Sequence, residues 1–159
     1  TQDSEYQDGK LSLQQLTRID SDQFMDQPVT AIKPGHSGSW YNPNQSGHGI
    51  SVEILPNNRG QIYWYVFDNQ GNQIWLTGSG EHDGKNLSVP MAIVTGGLFP
   101  PNFEHSPINI QQWGLLNLTF NNCHSATMSW HPNDTANYTA GEMNLQHLTL
   151  PMGLTCSDE

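Results

Sequence analysis

The sequence predicts an all-β fold, an antiparallel meander closed as a barrel or folded as a sandwich. Three observations carry this expectation. From Ile50 onward, apolar and polar residues alternate with the period of two that puts successive side chains on opposite faces of a strand. Clusters of Asn, Asp, Gly and Pro separate the alternating runs. The runs follow one another through short turns, which favours antiparallel neighbours, and closure would hide edges open to aggregation.

The chain begins with a polar, acidic extension over residues 1–30, ahead of a single β domain over 31–159. Leu13, Leu16 and Ile19 have near-helical spacing, so the extension reads as a short docked helix or a tether. Gly38 to Gly49 reads as an ordered loop, with Trp40 and Tyr41 set against an Asn-Pro-Asn and Gly-His-Gly turn. Ordering such a glycine-rich loop costs entropy, so its shape has a purpose.

Ile50, Val52 and Ile54 define the buried face of the next strand, and Pro56 to Gly60 turn the chain. Gln61 to Phe67 is apolar on both faces and reads as a central strand. Asp68 to Asn72 returns it into Gln73–Gly78, and Asp83-Gly84 marks a hairpin where glycine takes a positive φ. Leu87, Val89 and Met91 share one face of the strand that follows. After the long Gly96–Phe103 interruption, strands resume over 112–120, 125–131 and 138–150.

Five Lys and Arg against fifteen Asp and Glu give a formal net charge of −10. That field repels phosphate backbones and anionic lipid, so nucleic acid is not an expected partner. No run approaches the roughly 20 apolar residues of a membrane-spanning helix, and no secretory leader is legible, as in a mature or trimmed chain. Cys123 and Cys156 are the only cysteines, at a spacing that fits no zinc or redox motif. One disulfide tying the C-terminal tail to the body is expected, with an oxidising compartment implied.

Several segments occur in a suggestive order: Trp40-Tyr41-Asn42-Pro43, Ser46-Gly47-His48-Gly49, Tyr63-Trp64-Tyr65, Trp75-Leu76-Thr77-Gly78, Gly96-Gly97-Leu98-Phe99-Pro100-Pro101, Trp113-Gly114 and Cys123. This set resembles a poorly characterised β-rich domain of bacterial exported proteins, over roughly residues 37–150. The resemblance implies a secreted, periplasmic or cell-surface location and supplies no catalytic residues. Gly38-Ser39-Trp40-Tyr41-Asn42 and His124-Ser125-Ala126-Thr127 more weakly resemble avidin-like barrels. The segment holding Trp113 comes before His124 here, in the reverse order, and the Ser46–Gly49 loop has no counterpart there. Biotin is therefore not expected, while a barrel with a small-ligand pocket stays open as one alternative.

Chemistry is sparse. His48 and Glu53, and likewise His124 and His131, fall on opposite faces of a regular strand. His82-Asp83 offers a weak surface ion site at most, and no metal-binding or cofactor motif is present, so neither group is expected. Ser46 and His48, with Asp68 or Glu53, are the closest approach to a hydrolytic set, but no nucleophile elbow accompanies them. Glu53, Glu81 and Glu104 offer carboxylates whose spacing selects no pair.

The aromatics remain. Trp64, Trp75 and Trp130 read as core, while Trp40, Tyr41 and His48 flank glycine turns and read as surface. The expectation is an exported binding or accessory module rather than an enzyme. Its cleft, built by Trp40, Tyr41, Asn42, Ser46 and His48, would receive a glycan, a peptide or a small ligand. Two alternatives are a secreted hydrolase using His48 with Ser46 or a carboxylate, and a surface or assembly subunit whose aromatic loops bury against a protein partner.

Overall fold

In a computed structural model, residues 11–17, 32–99, 101 and 108–157 are described. Eight antiparallel strands run in sequence order around a closed barrel: β1 (Gly38–Tyr41), β2 (Gly49–Leu55), β3 (Arg59–Phe67), β4 (Gln73–His82), β5 (Asn86–Thr95), β6 (Asn109–Phe120), β7 (Ser125–Pro132) and β8 (Gly141–His147). The meander is thus a barrel, not a sandwich.

Period-two alternation builds it. Ile50, Val52, Ile54, Ile62, Leu76, Leu87, Val89, Met91, Leu116, Leu118, Ala126, Met128 and Leu145 are buried in one interior cluster. The alternate positions are mostly polar, among them Ser51 and Glu53 on β2 and Thr127 and Ser129 on β7. An apolar interior with a polar exterior is the reverse of the pattern in a barrel that faces lipid. Among the described residues no helix is long and apolar enough to cross a membrane.

The seam that closes the barrel lies in the segment expected to be a loop. Gly38–Tyr41 is a strand, pairing with β2 and, through Trp40↔His147 and Tyr41↔Gln146, with β8. The β8 seam is short, and the chain beyond it adds bonds: the Leu148 N–H donates to the Ser39 carbonyl at 2.8 Å, and the Ser39 N–H to Thr149 Oγ1 at 2.9 Å. Gly38 permits this approach. A Cβ there would lie 1.9 Å from the Thr149 carbonyl oxygen, on a backbone with φ of 134°.

The two ends of the barrel differ. At one end the turns are short, spanning 56–58, 83–85 and 121–124. A helical turn over Pro34–His36 and the C-terminal tail cover this end. Cys123 and Cys156 form the expected disulfide across it. Ile32 donates its N–H to the Gly84 carbonyl, and Ser37 Oγ accepts the Ile54 N–H. The opposite end carries the longer connections 42–48, 68–72 and 133–140 and the β5–β6 connection, most of which lies outside the described residues. Among the described residues a cavity enters the interior there.

Leu11–Thr17 has no regular structure, and Leu13 and Leu16 are exposed, so the helix expected from their spacing does not form over these residues. Thr17 Oγ1 donates to Glu53 on the outer face of β2. The rest of the expected extension lies outside the described residues.

Candidate functional site

Of the five residues expected to form a cleft, the structure brings only some to a common place. Trp40 is not a surface residue. It is 1% exposed, its Nε1–H donates to the His36 carbonyl at 3.0 Å, and its ring stacks on His147 at 4.2 Å and meets Phe120 edge-on at 5.3 Å. Strand pairing turns its side chain inward, into packing at the covered end. Tyr41, its neighbour by parity, faces outward, and three of the five expected residues, Trp40, Tyr41 and His48, border one shallow crevice with Gly47, Gly49 and Tyr65.

Asn42 shapes its own turn. Its Oδ1 accepts the Asn44 N–H at 2.9 Å and its carbonyl accepts the Gln45 N–H at 3.0 Å. Ser46 is exposed on the loop. His48 alone of the five lines the mouth of the barrel interior.

That mouth is a cavity of about 360 Å³, within the usual range for small-molecule sites. Trp64, Trp113, Trp130 and Tyr138 form its aromatic wall. Trp64 meets Trp113 edge-on at 5.6 Å and Trp130 at 5.4 Å, and Trp113 meets Tyr138 at 5.6 Å. Leu76 is buried at its base, while Gln45 and Asn69 are exposed at its rim.

Trp113 reaches the interior through a break in alternation. Leu116, Leu118 and Phe120 face inward on β6, so a regular strand would send residue 113 outward. Instead Met91 pairs with Gly114 and Ala92 with Gln112, leaving Trp113 as the extra residue of a β-bulge. A Cβ on Gly114 would stand 2.3 Å from the His131 carbonyl, so the bulge needs glycine there. The Asn133 N–H donates to the Trp113 carbonyl at 2.8 Å and ties the β7–β8 loop to it.

The polar atoms of this wall carry the chemistry. The Trp130 Nε1–H donates to the Thr139 carbonyl at 2.9 Å. The Nε1–H groups of Trp64 and Trp113, and Nδ1 of His48, are buried and have no hydrogen-bond partner among the described residues. Trp64 and Trp113 are 4% and 3% exposed. Leaving a buried donor unsatisfied costs about 1–3 kcal/mol, so three such atoms around one cavity mark a place built for something else to complete. None of the described residues lining it is charged.

Other candidates resolve differently. Asp68 accepts from the backbone of Gln70 and Asn72 and from the Asn72 amide, and these bonds hold its carboxyl below the usual range. Its oxygens serve the β3–β4 turn, so it does not orient His48. Asp83, accepting from Asn86 and Lys85 in the same way, is held at about 2. His36 lies 3.8 Å from Cys156 Sγ, but both cysteine sulfurs are spent on the disulfide and are not thiolate ligands.

Trp75, expected in the core, faces outward and is 45% exposed. With Tyr65, Phe67 and Gln73 it borders a larger outer crevice of about 620 Å³. The interior site is preferred over this one because it holds the unsatisfied buried atoms.

No family model, curated protein or solved structure matches the chain. The site is therefore read from its own chemistry.

Proposed function

We propose that this chain is an exported binding module whose open barrel end takes a small ligand, or the terminal unit of a glycan or peptide. The observation that carries the reading is the pair of buried, unpartnered indole N–H groups of Trp64 and Trp113 on the wall of an aromatic cavity, with His48 Nδ1 beside it. A ligand oxygen would satisfy donors that the protein leaves unused, and flat rings would pack against Trp130 and Tyr138. The disulfide agrees with export to an oxidising compartment. Of the expected cleft, His48 stays in the site and Trp40 leaves it.

The hydrolase alternative draws no support from Ser46, which is exposed, or from Asp68, which is committed to its own turn. The assembly alternative has one observation in its favour, the exposed outer row of Tyr65, Phe67 and Trp75. It predicts a mass that rises with concentration and quenching of Trp75 on association.

The test is a screen of glycans, short peptides and ring compounds against the oxidised protein, read by intrinsic tryptophan fluorescence and calorimetry. Binding lost in folded Trp64→Ala and Trp113→Ala variants, and kept in Tyr41→Ala, is the expected result. Hits that survive both tryptophan changes would remove the site from the barrel interior.

A further inference from the structure

The polar atoms of the cavity are specific enough to name the ligand's chemistry, an inference that rests on the interior-site reading above. An indole N–H donates and cannot accept. Two residues that line the cavity, Trp64 and Trp113, thus carry unpartnered donors, and His48 carries an unpartnered imidazole nitrogen, Nδ1. Each atom has almost no accessible surface, so a ligand must shift a neighbouring ring to reach it. The third indole, Trp130, is already spent on Thr139. Leu76, Ile74, Val66 and Met143 supply the rest of the deep surface and are apolar.

Charge narrows the choice. Apart from the His48 imidazole, no side chain among the described lining residues can carry a positive charge, so a buried carboxylate would lack a fixed counter-ion, and desolvating it costs several kcal/mol. The protein's net charge of −10 opposes an anion further. Asp68 lies near enough to the rim to help raise the Tyr138 hydroxyl's pKa, second to burial, so negative potential reaches the mouth. A cation would gain from four aromatic rings but would meet the positive ends of two N–H dipoles. A sugar hydroxyl could accept from the indoles, yet each one brings an O–H that needs an acceptor, and besides His48 the lining offers acceptors only on Tyr138 and on the exposed Gln45, Asn69 and Thr139.

We propose that the cavity selects an uncharged, flat ring carrying a carbonyl group, with the carbonyl oxygen innermost. That oxygen accepts from the Nε1–H of Trp64 or Trp113, or from both through its two lone pairs. The ring lies against Trp130 and Tyr138. A ring N–H beside the carbonyl, as in a cyclic amide, has His48 Nδ1 as its acceptor.

Probes of one size and shape separate the possibilities. Carbostyril is a flat two-ring lactam; naphthalene lacks the carbonyl, naphthoate is an anion, N-methylquinolinium is a cation, and methyl glucoside is added as a sugar. Calorimetric titration of the oxidised protein is expected to rank carbostyril at least about 10-fold above naphthalene, the worth of roughly one good hydrogen bond. Trp64→Phe and Trp113→Phe each lose ring area as well as a donor, so the readout is the ratio of the two affinities. In at least one of the variants carbostyril's advantage over naphthalene should fall by about 10-fold, and an unchanged ratio in both overturns the carbonyl assignment. Thermal melts of the variants establish that they are folded.

If naphthalene binds as well as carbostyril, the interior site stands and the carbonyl assignment falls. Tighter binding of naphthoate, N-methylquinolinium or methyl glucoside overturns the assignment in favour of an anion, a cation or a sugar. If none of the five binds, the interior-site reading falls with it.

Discussion

Replacing tryptophan with phenylalanine at two buried positions should have unequal effects, and the inequality measures the unsatisfied donors. Trp40 and Trp113 are 1% and 3% exposed, so the same change removes nearly the same buried atoms and leaves a similar void. The transfer and cavity terms therefore largely cancel between them. Hydrogen bonding does not cancel. Trp40→Phe loses the bond to the His36 carbonyl, worth about 0.5–1.5 kcal/mol net. Trp113→Phe instead removes a donor whose unsatisfied burial costs about 1–3 kcal/mol.

The two variants should thus differ by about 1.5–4.5 kcal/mol, with Trp40→Phe the less stable. For a chain of this length that is roughly 5–15 °C in Tm. Urea denaturation of the ligand-free protein, followed by far-UV circular dichroism, supplies both free energies. Trp64→Phe should behave like Trp113→Phe. Trp130→Phe, whose N–H is bonded to Thr139, should behave like Trp40→Phe. Equal losses at Trp40 and Trp113, to within about 0.5 kcal/mol, would mean that the Trp113 N–H is satisfied and would refute the argument from unused donors.

The other expectations concern the scaffold. The disulfide joins residues 33 apart, so reducing it should lower stability by about 3–4 kcal/mol, or roughly 8–15 °C in Tm. Melts with and without a phosphine reductant test this, and a shift below about 3 °C would show that contacts alone hold the tail. Gly114→Ala puts a Cβ 2.3 Å from a backbone oxygen that cannot rotate away, and should cost about 1–3 kcal/mol or more by urea denaturation. It should also change near-UV dichroism as Trp113 is displaced; an unperturbed spectrum would count against the bulge. Burial depresses the pKa of His82 below its ordinary 6.5, so its contribution to stability is full above that pH and is lost as pH falls through the depressed value. Comparing the pH slope of stability with that of His82→Asn, between about pH 7.5 and 5, tests the sign, and identical slopes would refute it.

The strands from Ile50 to Leu145 were legible because alternation is local: each strand carries its own inward set and its own turn. The seam was not. Gly38–Tyr41 is four residues long and acquires its conformation from β2 and β8, the latter more than a hundred residues away. Without that pairing, its glycine and aromatics read as a loop with Trp40 on the surface. Trp75 was different, since parity with Ile74 and Leu76 would have turned it outward had the run been read by alternation instead of by bulk. Trp113 defeats parity altogether. Only a bulge re-aims it, and the one local sign is the adjacent Gly114, which a sequence offers in many places without a bulge.

The case for the open end as the working end rests on a contrast inside one molecule. At the covered end the large polar side chains are used: the Trp40 N–H reaches His36, and the two ring nitrogens of His147 lie 3.0 and 3.2 Å from the carbonyls of Cys123 and Ser37. These two rings are satisfied where packing is the purpose. At the open end Trp64, Trp113 and His48 have no partner for three atoms around one cavity among the described residues, whereas the covered end leaves one such atom, on His82. His82 Nε2 is also unpartnered, but it is a single atom beside a tight turn, its Nδ1 accepting the Gly84 N–H. Isolated strain of that kind is what a turn leaves behind. Three unsatisfied atoms sharing a cavity, one of them brought there by a bulge, are better explained by a ligand than by imperfect packing.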